Sequence, residues 1–192
     1  MAVTNTDSLL EADKDLKQND TTQHETIQTG CSFDNPDTSL SGIKLRDSKS
    51  AISVLGVTKL EGDTTYNFSS SDKKQVLSVT VHPGDLYSAI SIFQVRYSGN
   101  SVESLPLPTI DNFKTEKDIQ LGLTKRELLK KLGECFTESD STNNSITINY
   151  RLEAPQDSKT NILERQNMPI YYATYKFKSD KLVEFEFGFE YP

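Results

Sequence analysis

The sequence predicts an α+β protein built as two tandem helix-plus-antiparallel-sheet units, with the helices packed on one face of a curved sheet. Two segments share one grammar. Ile43-Lys44-Leu45-Arg46-Asp47-Ser48 runs into Leu55-Gly56, and Ile119-Gln120-Leu121-Gly122-Leu123-Thr124 runs into Leu132-Gly133. Each reads as an extended lead-in, a capping residue, about two turns of helix and a glycine stop. Alternating apolar and polar runs follow each one, and the chain closes in two such runs separated by a short polar turn.

Residues 1–39 come first, rich in Thr, Asn, Asp, Gln and Lys with scattered apolar residues. This composition predicts a flexible polar tether, because too little apolar surface is present to offset the entropy of ordering it. The segment suits a spacer between a lipid-attached precursor terminus and a folded body, and it equally suits terminal disorder.

Residues 40–98 form the first predicted unit. Asp47 or Ser48 caps the helix, Ile52 and Leu55 face inward, and Gly56 ends the helix by taking positive φ without a side-chain penalty. Val57–Leu60 and Thr65–Phe68 are short candidate strands; Val76–His82 and Ser88–Tyr97 are stronger ones, joined by a turn at Pro83-Gly84-Asp85. Apolar residues on both faces make Ser88–Tyr97 a central strand. Residues 99–118 carry Pro106 and Pro108 with no steady period and read as a connector, with Leu105, Leu107, Ile110 and Phe113 tucked against the body.

Residues 119–192 form the second unit. Thr124 and Glu127 have capping-box spacing, with Leu123 and Leu128 in the staple positions, together about 1 kcal/mol better than an uncapped start. Leu128, Leu129 and Leu132 make the apolar face and Gly133 stops the helix. Ile146–Glu153 alternates strictly, with Ile146, Ile148, Tyr150 and Leu152 inward. Pro155–Asn167 reads as a long loop or extended hairpin. A three-residue turn at Ser179–Lys181 would pair Phe177 with Val183, Tyr175 with Phe185, Ala173 with Phe187 and Tyr171 with Phe189. Lys176 then meets Glu184, and Thr174 meets Glu186, on the opposite face.

The segments Ile119-x-Leu121-Gly122-x-Thr124-x-x-Glu127-Leu128, Tyr172-x-Thr174-Tyr175-x-Phe177 and Lys181-Leu182-Val183-x-Phe185 resemble the tandem-repeat fold of the beta-lactamase inhibitory protein and its single-unit relatives among SmpA/OmlA-type small outer-membrane lipoproteins. The first unit keeps Ile43-x-Leu45, Ser48 and Leu55-Gly56 but has Arg46 where the second has Gly122. The resemblance covers about residues 42–192. It implies helices on one sheet face, the other face open to proteins, and no catalytic residue to carry over. The inhibitor's close cysteine pairs are absent here.

The net charge of -7 works against phosphate-backbone binding, so nucleic acid is not an expected partner. No apolar run is long enough to cross a bilayer as a helix, and no secretion signal is visible. Cys31 and Cys135 lack metal or redox spacing and are open to either a disulfide or two buried thiols. His82-Pro83-Gly84-Asp85 places an imidazole beside a carboxylate, but a catalytic zinc needs three protein ligands and the only other histidine is His24; a turn is the simpler reading. No catalytic residue, metal or cofactor is expected.

The outward residues Tyr172, Thr174, Lys176, Glu184, Glu186 and Glu190 form a candidate protein-binding face, while Ser48, Gly56, Thr124, Glu127 and Gly133 have structural roles. The expected function is a non-enzymatic, extracytoplasmic protein-binding or envelope-assembly module, periplasmic or attached to the outer membrane, whose protein partner the sequence does not identify. The alternatives are a structural lipid-tethered envelope protein and, further off, a hydrolase with a His82/Asp85 pocket.

Overall fold

The computed structural model describes Met1 and residues 32–57, 59–60, 64–83, 86–99, 103–141, 144–153 and 160–190, with the side chains of Asp140 and Ser141 left undescribed. The elements are β1 (Ser39–Leu40), β2 (Ile43–Lys44), α1 (Ser48–Leu55), β3 (Thr65–Ser69), β4 (Gln75–Thr80), β5 (Ile92–Tyr97), β6 (Leu105–Pro106), α2 (Lys125–Leu132), β7 (Thr137–Ser141), β8 (Ser145–Glu153), α3 (Ile162–Gln166), β9 (Ile170–Lys178) and β10 (Lys181–Glu190). Eight of the strands form one sheet in the order β6-β3-β4-β5-β10-β9-β8-β7; β1 and β2 make a separate small ribbon.

This arrangement corrects the predicted fold class. The molecule is dominated by a single mixed sheet with three short helices among the described residues, not two helix-plus-sheet units. The halves are joined where β5 pairs antiparallel with β10, Val95 opposite Phe185 and Phe93 opposite Phe187. The sheet is mixed because β6 runs parallel to β3. A repeated local grammar says nothing about long-range strand pairing, which is why two similar segments suggested two separate units.

The closing hairpin also differs from its predicted register. Ser179 and Asp180 both have positive φ, 49° and 61°, as a two-residue hairpin turn of matching twist requires. Lys178 therefore faces Lys181 and Phe177 faces Leu182. A β-bulge between Leu182 and Glu184 then absorbs one residue and restores Lys176 opposite Glu184, Tyr175 opposite Phe185, Ala173 opposite Phe187 and Tyr171 opposite Phe189. Only the expected Phe177–Val183 pair is lost. Leu182 instead exchanges backbone hydrogen bonds with the lead-in of α2, donating to the Leu123 carbonyl and accepting from the Gly122 N–H, both at 2.8 Å.

Asp47, not Ser48, caps α1: its side chain accepts from the N–H groups of Lys49 and Ser50. Ser48 is the first helical residue and its hydroxyl donates to the Tyr87 carbonyl at 2.7 Å. Ala51 and Leu55 face the core, whereas Ile52, expected inside, is 40% exposed. Gly56 closes the helix at φ 67°. In α2 the Thr124 side chain accepts from the Glu127 N–H while Glu127 reaches back to the Thr124 N–H, and Leu128 and Leu132 are buried. The supposed long loop before Asn167 holds α3, whose Ile162 and Leu163 are buried; residues 154–159 lie outside the described part.

Strand limits also shift. Val57, Lys59 and Leu60 are outside any strand, and Thr58 and residues 61–63 lie outside the description. Ser88–Ser91 lies outside the strand, with Ser88 turning the chain at φ 61°, and Ile92–Tyr97 is the central strand.

The predicted tether extends too far. Residues 2–31 lie outside the description, but Phe33 is 2% exposed and its ring centroid lies 4.6 Å from that of Tyr150. Within the predicted connector, Leu107, Phe113 and Thr115 are buried and Ile110 is partly buried, while Leu105 is exposed. These segments and the helices bury one sheet face, so a single core runs from Phe68, Leu77 and Phe93 through Phe187 to Tyr175 and Ile148.

Gly188 permits the joint between the halves. A Cβ there would lie 2.1 Å from the Ser91 carbonyl oxygen and 2.7 Å from the Ile92 Cα. Gly188→Ala is expected to destabilise the protein by about 2–3 kcal/mol, since backbone must move to admit the methyl. Gly99→Ala, which meets open space, should stay within about 0.5 kcal/mol of the parent. Urea unfolding midpoints compare the two, and equal midpoints would contradict the close approach.

Candidate functional site

The face of the sheet away from the core carries a polar surface over β5, β10, β9 and β8. Side-chain alternation along β8, β9 and β10 sends Tyr150, Tyr171, Tyr175, Phe177, Phe185, Phe187 and Phe189 to the core and their neighbours, Tyr172 among them, outward. Cross-strand register then sets the rows: Asn67, Ser78, Gln94, Glu186, Thr174 and Asn149 lie side by side across six strands. A second row runs Ser69, Val76, Arg96, Glu184, Lys176 and Thr147.

All six residues of the predicted binding face lie here, tied into local networks. The Lys176 ammonium meets Glu184 Oε1 at 2.7 Å. Gln94 Nε2 bridges the two glutamates, at 3.0 Å to Glu186 and 3.5 Å to Glu184. The Tyr172 hydroxyl donates to Glu186 Oε1 at 2.6 Å. Burial of the ring, reinforced by that bond, raises the Tyr172 pKa well above the ordinary phenol value and keeps the hydroxyl a donor. Thr174 Oγ1 donates to Asn149 Oδ1 at 3.0 Å, and Arg151 pairs with Glu190 at 2.9 Å as well as with Glu153.

Gln94 is the residue that sequence reasoning missed. Its position between the inward Phe93 and Val95 is the period-2 signal that marks it as outward. Towards β3 and β4 the outward residues are covered: Val76 and Ser78 are 1% and 7% exposed although they point away from the main core.

The other singled-out residues are placed elsewhere. His82 Nε2 lies 2.8 Å from the Phe189 carbonyl oxygen, at the end of β10. Gly84, Asp85 and His24, and with them the expected His82/Asp85 pocket, lie outside the described residues. Among the described residues no group of three His, Cys, Asp or Glu side chains is arranged to hold a metal ion. Cys135 is disulfide-bonded and does not titrate; the chain's only other cysteine, Cys31, is outside the described residues. None of the helices among the described residues is long and apolar enough to cross a membrane.

On the core side, the chain entering β1 is clasped to the segment before α2. Asp37 is fully buried, 3.2 Å from the Lys117 ammonium. Tyr171 donates its hydroxyl to the Asp37 carbonyl at 2.8 Å, and Tyr175 lies 3.4 Å from Asp37 Oδ2. Burial raises the Asp37 pKa above the usual carboxylate value, opposed by the Lys117 charge. Glu116 behaves oppositely. Its partial burial acts to raise the pKa, but the N–H groups of Thr38 and Ser39 (2.5 and 2.8 Å) and the Ser39 hydroxyl (2.9 Å) outweigh this and lower it. A cleft of about 420 Å³ lies over this clasp, lined by Asp34, Pro36, Glu116, Lys117 and Arg165 among others.

No family model, curated protein or solved structure matches this chain.

Because the folded state lowers the Glu116 pKa, its contribution to stability is complete above the ordinary glutamate range and disappears as pH falls through the depressed value. Glu116→Gln should therefore lower the urea midpoint at pH 7 and change it progressively less as the pH is brought below that range. A deficit that grows on acidification would contradict the assigned hydrogen bonds.

Proposed function

We propose that this protein is a non-enzymatic protein-binding or envelope-assembly module that works outside the cytoplasm and meets its partner with the outer sheet face. The observation that carries the reading is the contrast between the two faces. Helices and lead-ins cover one, whereas the other presents amides, hydroxyls and paired charges from Gln94 to Asn149. Such a surface offers many hydrogen-bonding groups held in fixed positions by the ladder, which favours shape-specific recognition over strong unspecific adhesion.

Further support comes from outside the face. The disulfide at Cys135 is the kind of cross-link that persists in oxidising compartments. The net charge of -7 favours a protein over a nucleic acid as partner. The motif resemblance to the beta-lactamase inhibitory protein and to SmpA/OmlA-type outer-membrane lipoproteins supports the same class of activity.

A second reading is a lipid-tethered structural protein whose face is only solvated. It is favoured by the mutual pairing of Lys176 with Glu184 and of Arg151 with Glu190, since charges already satisfied have less to give a partner.

Charge reversal separates the two. Lys176→Glu and Glu184→Lys should each weaken cross-linked capture of the partner from intact envelopes by about tenfold or more, and the double reversal, which restores the internal pair, should not restore capture. Unchanged capture in all three variants, with unfolding midpoints like the parent's, favours the solvated face and contradicts the proposal.

A further inference from the structure

The chain that enters β1 lies over the core side of the sheet as a strap, residues 32–37, fastened at both ends. Cys135 is disulfide-bonded and Cys31 is the only other cysteine in the chain, so the bond ties the chain beside Ser32 to the segment between α2 and β7. At the other end Lys117 donates to the Pro36 carbonyl at 3.0 Å and pairs with Asp37, whose carbonyl accepts from Tyr171. Between the two fastenings Phe33 is 2% exposed, its ring centroid 4.6 Å from that of Tyr150 and 6.2 Å from that of Tyr171.

The two sides of the disulfide are held differently. Among the described residues, 32–37 make no backbone-to-backbone hydrogen bond. The Cys135 side has its own supports. The Phe136 ring lies 5.9 Å from that of Tyr150, the Tyr150 hydroxyl donates to the Gly133 carbonyl at 2.6 Å, and the β7–β8 ladder begins with Thr137 opposite Asn149. Burying one phenylalanine ring returns less free energy than ordering a run of backbone residues costs, so Phe33 by itself does not hold the strap ahead of Pro36. The cross-link lowers that cost, because it leaves a loosened strap little freedom to gain.

We infer that the Cys31–Cys135 bond is a redox latch on this strap: closed, it seats Phe33 against Tyr150 and Tyr171; opened, it lets residues 32–35 leave while the sheet stays folded. Opening takes an external dithiol. One of its thiolates attacks a sulfur of the bond to form a mixed disulfide, and its second thiol then closes the reductant's own disulfide. Both cysteines end as thiols, having gained two electrons and two protons from the dithiol. Cys135 is only half-buried, which leaves the bond open to attack. After release the preceding chain is anchored at the Asp37 clasp instead of at Cys135, and the ring surfaces that Phe33 covered meet solvent. The inference goes beyond the protein-binding reading and uses neither the outer face nor its partner. In an oxidising compartment the latch stays closed until a dithiol is supplied.

Chymotrypsin cuts after Phe33 only when the ring is unseated, so limited digestion of the full chain, read by mass after quenching, reports the strap. Hydrogen exchange at Ala173 and Phe187 reports the sheet. Protein reduced with dithiothreitol and then freed of it should be cut after Phe33 about tenfold faster or more, with exchange at Ala173 and Phe187 unchanged within about threefold. Reoxidation should restore the slow rate. The double variant Cys31→Ser, Cys135→Ser should be cut at the fast rate with no reductant used. An unchanged rate in either the reduced protein or the double variant shows that the strap holds without the bond and overturns the inference. Fast cutting of the reduced protein together with accelerated exchange at Ala173 and Phe187 marks the bond as a staple of the whole fold and overturns it as well.

Discussion

Where β5 meets β10, Phe93 stands opposite Phe187 with ring centroids 5.4 Å apart, and Val95 stands opposite Phe185. All four are buried, each worth on the order of 2–3 kcal/mol as transferred apolar surface. This seam converts two stretches of chain into one sheet. It also places Gln94 beside Glu184 and Glu186, so the inner packing and the outer polar surface are set by the same ladder. Gly188 is the local condition for it, because Ser91 approaches the strand too closely for any side chain.

The lead-ins lock the helical layer onto this sheet. Arg46 donates to the Ile90 carbonyl and Gly122 to the Leu182 carbonyl, each at 2.8 Å. Both donors have positive φ, 58° and 87°. Arginine and glycine therefore serve the same turn, the arginine at a conformational cost its hydrogen bonds offset. The Asp37–Lys117 pair and the hydrogen bonds to Glu116 add a third tie, between the chain entering β1 and the segment leading to α2. A buried ion pair of this kind contributes little net stability, but removing one partner strands the other, so it fixes position more than it adds energy.

What the sequence made legible was local. The Thr124–Glu127 box, the glycine stops and the alternation of Ile148, Tyr150 and Leu152 depend on near neighbours, and the structure shows each of them. The outward register of Tyr172, Thr174 and Lys176 against Glu184 and Glu186 was readable for the same reason. The bulge at Val183 was not, because it is fixed by pairing with Leu123 and Gly122, some sixty residues away. The burial of Phe33 and Asp37 was equally hidden: a polar composition conceals two residues whose partners, Tyr150 and Lys117, lie far along the chain. Gln94 joined the face only once β10 was known to lie beside β5.

The β5–β10 seam makes one cooperative body of both halves. Native-state hydrogen exchange in rising urea tests it most directly, following Leu77 and Val95 in β4 and β5 against Tyr150 and Ala173 in β8 and β9. A shared seam predicts that these amides merge onto one opening free energy with one denaturant dependence. Two groups with separate opening energies, one half exchanging while the other stays protected, would contradict it.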